Sequence, residues 1–181
     1  MTAARRTRKT PLRALAVSAA LAASLAAPAA AAACGNVHAD ANRSSIKQVD
    51  SATVCLLNSI RRRHGLKPLR VNKKLSTASR RHAHAMAAHH FFAHGDFVGR
   101  IRAVHYLSGA RSWTVGENIA WGSQRLGTPQ AIVKAWMHSP PHRANILSSA
   151  FKEIGIGVSR GAPVAGVDDG VTYATDFGKR G

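Results

Sequence analysis

The 181-residue sequence has few acidic residues, few cysteines and none of the commonest catalytic signatures. It contains eight Asp and Glu, two Cys and 6% aromatic residues. No H-E-x-x-H helix occurs, which excludes the common zinc-protease motif, and no G-x-S-x-G elbow occurs, which argues against an α/β-hydrolase. Zinc-finger spacing, a zipper and aromatic-rich strands are also missing, so no specific nucleic-acid partner is predicted.

Basic residues are abundant by contrast. The 26 Lys and Arg give a formal charge of +18. Residues 1–33 have the pattern of a secretory signal peptide: basic residues from Arg5 to Arg13, an Ala-rich run over 14–27, and small residues before Cys34. A permanent membrane anchor is the alternative, but the run has few Leu and no aromatic belt. We expect cleavage between about Ala30 and Cys34 and a secreted protein.

The charge persists after cleavage. Removal of residues 1–33 takes away five basic residues and no acidic one, so residues 34–181 keep a formal charge of +13. Such a surface favours anionic neighbours, and anionic polymers of the cell envelope are one class of partner that it predicts.

The two cysteines, Cys34 and Cys55, predict one disulfide, because an even pair in an exported chain is usually oxidised. The bond would tie the start of the mature chain to the first helix. A lipidated N-terminus at Cys34 is the alternative, although the larger aliphatic residue that usually stands three positions earlier is absent.

Periodicity predicts helices first and strands late. After a polar arm at residues 34–47, helices are predicted from Gln48 to Arg63, from the cap Asn72 to about His89, over 98–106 and over 129–138, with a helical turn at 142–147. Trp136 is expected in the core. Alternating residues predict strands at 154–158 and 171–177. This order indicates an α+β fold with helices packed on a small antiparallel sheet.

Five short motifs occur in a characteristic order along the chain. They are Phe91-Phe92-Ala93-His94, Gly116-Glu117-Asn118-Ile119, the run Ser139-Pro140-Pro141-His142-Arg143-Ala144-Asn145, Glu153-Ile154-Gly155-Ile156-Gly157, and Tyr173-Ala174-Thr175-Asp176-Phe177-Gly178. Together they resemble a bacterial, secreted SCP-domain member of the CAP superfamily, which includes cysteine-rich secretory proteins, antigen 5 and pathogenesis-related 1 proteins. The resemblance runs from about Val54 to Gly178, so residues 48–181 are expected to form one CAP domain.

The resemblance implies a three-layer α-β-α sandwich with a cleft of two histidines and two acidic residues, which holds a divalent metal in some members. His94, Glu117 and His142 match three of these positions. The second acid has no match, and Glu153 or Ser139 is the candidate for the fourth position. Two imidazoles and a carboxylate would suit zinc or a similar divalent ion. A structural role for Glu117, as a carboxylate in a Gly-flanked turn, is the alternative.

The resemblance implies no shared reaction. We expect a monomeric, secreted protein that is not an enzyme, needs no cofactor, and binds a small molecule or lipid, or an anionic surface. The alternative is a metal-dependent, peptidase-like hydrolase that uses His94, Glu117 and His142.

Overall fold

The computed structural model of the protein describes residues 34–181. The elements are α1 (Ile46–Arg63), β1 (Arg70–Val71), α2 (Lys73–His89), α3 (Phe97–Ala103), β2 (Trp113–Ser123), α4 (Pro129–His138), α5 (Pro140–Leu147), β3 (Glu153–Arg160) and β4 (Gly170–Arg180), with a 3-10 turn at Gln124–Gly127 before α4. The predicted signal peptide, residues 1–33, lies outside the described residues.

The strands form one sheet in the order β1-β3-β4-β2. β4 runs antiparallel to both β3 and β2, and its pairing places Glu117 opposite Asp176. The two-residue β1 runs parallel to β3. Because side chains alternate across a strand, Glu117 and Asp176 share one face of the sheet, and Tyr173 and Phe177 share the other.

Helices cover both faces of this sheet. α1 and α4 bury Leu57, Ile132 and Trp136 against Tyr173 and Phe177 in the larger core. On the other face α2 lies directly on β3, where a Cβ added at Gly155 or Gly157 would collide with the backbone of α2. The predicted α+β class and the three-layer α-β-α sandwich are therefore confirmed, and so is the prediction that Trp136 belongs to the core.

The sequence pattern did not predict β1 or β2. β2 has 11 residues, yet glycines and the polar pair Glu117-Asn118 interrupt its apolar alternation. It pairs with β4 along its full length, and this pairing stabilises it despite the interruptions. The alternative that Glu117 occupies a Gly-flanked turn is wrong, because Glu117 lies inside this strand.

Several helix boundaries also differ from those predicted. α1 begins at Ile46, two residues early, because Ser45 and Gln48 form a capping box. The third helix is short and ends at Ala103. Pro140 and Pro141 do more than end α4: they form the first turn of α5, where the missing N–H groups of proline cost nothing.

The predicted disulfide between Cys34 and Cys55 is confirmed, with the two Cα atoms 5.7 Å apart. It uses the Cys34 thiol that the lipidated alternative requires. Among residues 34–181, no helix combines the length and the apolar character that crossing a bilayer demands.

Candidate functional site

Glu117 is the centre of a polar cluster on the α2 face of the sheet. We call this cluster the Glu117 cleft; besides Glu117 of β2, it comprises His82 of α2, His94 of the following loop, Arg100 of α3 and Asp176 of β4. The structure thus brings His94 and Glu117 together, as the resemblance implies.

Both oxygens of the Glu117 carboxylate are engaged. Oε1 lies 2.8 Å from Nδ1 of His94, and Oε2 lies 2.6 Å from Nη2 of Arg100. The Glu117 side chain is 1% exposed, whereas the His94 side chain is 49% exposed. Because a carboxylate only accepts hydrogen bonds, we assign the proton of the His94 ring to Nδ1. The carboxylate is thus held between one imidazole N–H and one guanidinium.

His82 lies beneath this pair and is buried. Its Nε2 donates to the carbonyl oxygen of Ala93 at 3.0 Å and lies 3.9 Å from Oε2 of Glu117. Burial lowers the pKa of His82 below its ordinary value, although the Glu117 carboxylate opposes this effect. The ring is therefore neutral near pH 7, and its bond to Ala93 fixes the loop that carries His94.

Asp176 is a second carboxyl group in the cleft, and the sequence analysis did not identify it. Its Oδ2 lies 2.7 Å from the hydroxyl of Ser79, and its Oδ1 is buried without a hydrogen-bond partner in the described part of the chain. Burial, with a further contribution from the Glu117 carboxylate, raises the pKa of Asp176 to about 7. Alternation along the strand predicted at 171–177 could have placed Asp176 on the face opposite that of Tyr173.

His142 lies close enough to His94 for the two rings to interact electrostatically. Burial lowers the pKa of His142, and the neighbouring His94 lowers it further. The His142 carbonyl oxygen accepts a hydrogen bond from Asn118 at 3.1 Å, which docks α5 on β2. Within residues 34–181 no hydrogen bond or ion pair joins the His142 side chain to Glu117 or His94.

The two candidates for the fourth position are not brought to Glu117. The Glu153 carboxylate accepts hydrogen bonds from the Tyr106 hydroxyl at 2.7 Å and from the Asn72 amide at 3.1 Å. The Asn72 bond ties β3 to the start of α2, and the Tyr106 bond ties β3 to the segment after α3. Ser139 is the N-cap residue of α5, and its hydroxyl makes no capping hydrogen bond.

A divalent ion does not fit the Glu117 cleft as its side chains are arranged. Within the described residues, no three His, Cys, Asp or Glu side chains are placed to hold a metal ion together. The Arg100 guanidinium lies against Oε2 of Glu117, where it would repel a second cation. With the proton of the His94 ring assigned to Nδ1, the nitrogen that faces Oε1 offers no lone pair to a metal. We therefore derive no chemical step through a metal.

A second feature is a groove between α1 and α4, on the opposite face of the sheet. We call it the α1–α4 groove; it has a volume of about 460 Å³. Its lining is apolar at Leu56, Ile60, Val133 and Met137, with Gln130 beside them, and basic at Arg63, His64, Lys134 and His138. Burial is confined to the apolar side chains, and the four basic side chains are exposed. None of these four forms an ion pair with a carboxylate of residues 34–181.

Known proteins resemble this chain over most of the described region. The uncharacterized protein YkwD of Bacillus subtilis is 37% identical over 115 residues, which cover 63% of this chain and 44% of that protein. An extracellular protein containing a SCP domain from Bacillus anthracis superposes with a TM-score of 0.56 and 26% identity, over 73% of this chain and 42% of that one. The matched region is thus less than half of either relative.

An outer surface protein of Borrelia burgdorferi superposes with a TM-score of 0.62, over 76% of this chain and 97% of that one, and at 19% identity it supports the fold alone. The model of the cysteine-rich secretory protein family, CAP, matches residues 54–173. Those residues include the C-terminal part of α1, the whole of α2, the loop that carries His94, β2, β3 and the first four residues of β4. The chain therefore belongs to the CAP family.

Proposed function

We propose that this protein is a secreted, non-enzymatic CAP-domain protein that binds a single-chain anionic amphiphile, such as a fatty acid, in the α1–α4 groove. The observation that carries the proposal is the composition of the groove, in which an apolar floor is bordered by basic side chains that form no ion pair within residues 34–181. The ligand that matches such a groove has an apolar chain and an anionic head.

The floor would supply most of the binding free energy. Ile60 and Val133 are buried, and Leu56 and Met137 are half-buried, so a ligand chain would complete an apolar surface that is already partly covered. Each buried CH₂ contributes about 0.8 kcal/mol. A volume of about 460 Å³ lies within the range of ordinary small-molecule sites.

The rim would orient the head of the ligand. Arg63 ends α1, and Lys134 projects from the middle of α4, so permanent positive charges stand on both walls of the groove. His64 adds a polar N–H donor, whereas Nδ1 of His138 already donates to the Lys134 carbonyl oxygen at 2.8 Å. A carboxylate or phosphate head would accept hydrogen bonds from these groups, while their exposure keeps the head in contact with water.

Secretion is supported by the predicted signal peptide and by the disulfide, which is typical of oxidising compartments. The charge of +13 on residues 34–181 supports attachment to anionic envelope polymers as a second, less specific property. No contact in the Glu117 cleft favours the metal-dependent hydrolase, because Arg100 stands beside the carboxylate that such a mechanism would use.

Calorimetric titration with laurate, myristate and palmitate, each below its micelle-forming concentration and with a chelator present, tests the proposal. We expect one saturable site per chain and a roughly tenfold gain in affinity for each two methylenes added. Met137→Asp should abolish binding because it places a charge on the floor. Lys134→Glu should weaken binding, because it reverses one charge at the rim.

Lys73→Glu is the matched control: it makes the same charge change at the first residue of α2, outside the groove. Its affinity should equal that of the wild type. An affinity independent of chain length, or equal effects of Lys134→Glu and Lys73→Glu, would contradict the proposal. Binding that vanished between low and moderate salt for every chain length would indicate attachment to anionic surfaces alone.

A further inference from the structure

We propose that the Arg100 guanidinium is the resident cation of the Glu117 cleft, and that it closes this carboxylate to divalent metals. The inference is independent of the proposed function, which concerns the opposite face of the sheet. It predicts that a zinc site dependent on Glu117 is absent in the wild type and appears when Arg100 is shortened.

The Arg100 guanidinium lies directly against the Glu117 carboxylate. Nη2 of Arg100 is within hydrogen-bond distance of two acceptors, Oε2 of Glu117 at 2.6 Å and the carbonyl oxygen of His94 at 2.8 Å. Arg100 thus contacts both the Glu117 carboxylate and the backbone of His94, and the ring of His94 binds the other oxygen of that carboxylate. A metal bound by His94 and Glu117 would have to occupy the same neighbourhood.

The chain holds Arg100 in this position. The Asp96 side chain caps α3 by accepting a hydrogen bond from the Gly99 N–H at 2.7 Å, and this cap fixes the start of the helix one turn before Arg100. The preceding Gly95 adopts a left-handed φ of 52°, which suits glycine and turns the loop from His94 into α3. The Arg100 side chain is only 25% exposed, so it is enclosed by the cleft and does not extend into solvent.

The charge balance of the cleft is consistent with this position. Glu117 is 1% exposed, and a carboxylate that is so deeply buried requires a positive partner. His82 does not form this contact, because its Nε2 donates to the Ala93 carbonyl oxygen at 3.0 Å and lies 3.9 Å from Oε2 of Glu117. Arg100 supplies the charge, because Nη2 of its guanidinium lies 2.6 Å from Oε2 of Glu117. The Glu117 charge is therefore balanced without a metal.

Zinc titration of the wild type and of Arg100→Ala, by calorimetry at neutral pH, tests the proposal. Exposed histidines, including His84, His89 and His90, will bind some zinc outside the cleft. This background binding is measured on the double variant Arg100→Ala/Glu117→Gln. We expect the wild type to match this background. Arg100→Ala should bind one additional zinc ion at least about tenfold more tightly than the background, and His94→Ala in the same chain should remove that ion.

If Arg100→Ala lowers the stability of the protein, thermal unfolding with and without zinc provides a second test. Zinc should raise the melting temperature of Arg100→Ala, or restore its folded circular-dichroism spectrum, and should leave the wild type and the double variant unchanged. The proposal is overturned if wild-type protein binds a zinc ion that Glu117→Gln removes. It is equally overturned if zinc neither binds nor stabilises Arg100→Ala beyond the double variant.

Discussion

Arg61 shows how a single residue can differ from its sequence neighbours. It belongs to the run Arg61-Arg62-Arg63, which suits the negative end of the α1 dipole. Yet Arg61 is 2% exposed and donates hydrogen bonds to the carbonyl oxygens of Lys67, Ile146 and Ser148 at 3.0, 2.7 and 2.9 Å. It therefore ties the end of α1 to the end of α5.

We predict that Arg61→Met destabilises the protein by about 3 kcal/mol, because three buried or half-buried carbonyl groups lose a charged donor. Arg62→Met is the matched control, since Arg62 is exposed in the same helical turn. It should change the free energy of unfolding by no more than about 0.5 kcal/mol. Urea unfolding of both variants measures the difference, and equal losses would refute the structural role of Arg61.

Asp50 is a half-buried acid that the proposed function does not use. It lies in α1, and its Oδ1 is buried without a hydrogen-bond partner in the described region. Burial raises the pKa of Asp50 to about 7, although the nearby Arg80 guanidinium opposes the shift. The folded state therefore binds this proton more tightly than the unfolded state does, in which the pKa is near 3.8.

This difference sets the sign of a pH dependence. Between the unfolded and folded pKa values the folded protein carries more protons, so stability falls as pH rises through this window and levels off above about pH 7. We predict that Asp50→Asn, which cannot ionise, is more stable than the wild type at about pH 8, and that its advantage shrinks towards about pH 5. Melting temperatures at the two pH values measure this; an advantage that grew towards low pH would contradict the burial of the Asp50 charge.

At the scale of elements, α2 and β3 depend on each other. The alternation Ile154-Gly155-Ile156-Gly157 puts isoleucines on the face covered by α1 and α4 and glycines under α2. Without Cβ atoms on that side, the helix backbone packs directly on the strand. The sequence predicted the strand correctly, but only the structure shows why its alternate residues are glycines.

We predict that Gly157→Ala destabilises the protein by about 1–3 kcal/mol, because its methyl group would meet the backbone of Ser79 and Arg80 in α2. Gly35→Ala serves as the control, since a Cβ at Gly35 would meet nothing within 4 Å. Denaturant unfolding of the two variants compares them directly. Equal stability of Gly157→Ala and Gly35→Ala would refute the direct packing of α2 on β3 at this position.

At the scale of the whole molecule, the sequence predicted the three-layer α-β-α architecture more completely than it predicted the Glu117 cleft. Most helices and two strands follow from local periodicity, but β2 does not, because its stability comes from pairing with the distant β4. Only the family resemblance brought His94 and Glu117 together. Arg100 had no sequence signal, since an arginine in a short helix is ordinarily solvated. Its role depends on the turn at Gly95 and the cap at Asp96, which local patterns do not resolve.

The two proposals assign different roles to the two faces of the sheet. On the α2 face, the Glu117 cleft is closed by its own ion pair. On the α1 and α4 face, basic side chains without acidic partners in the described chain surround an apolar groove. The excess of positive charge over the molecule would raise the rate at which anionic ligands approach. We therefore expect the anionic ligand to bind in the α1–α4 groove.

Mapping of backbone amide chemical shifts during a titration with myristate, with a chelator present, tests that location most directly. We expect the largest shifts at residues 56–64 and 130–138, the two walls of the groove, and we expect them to saturate at one ligand per chain. Shifts concentrated at residues 91–100 and 113–123, around the Glu117 cleft, would contradict it, as would the absence of saturable shifts.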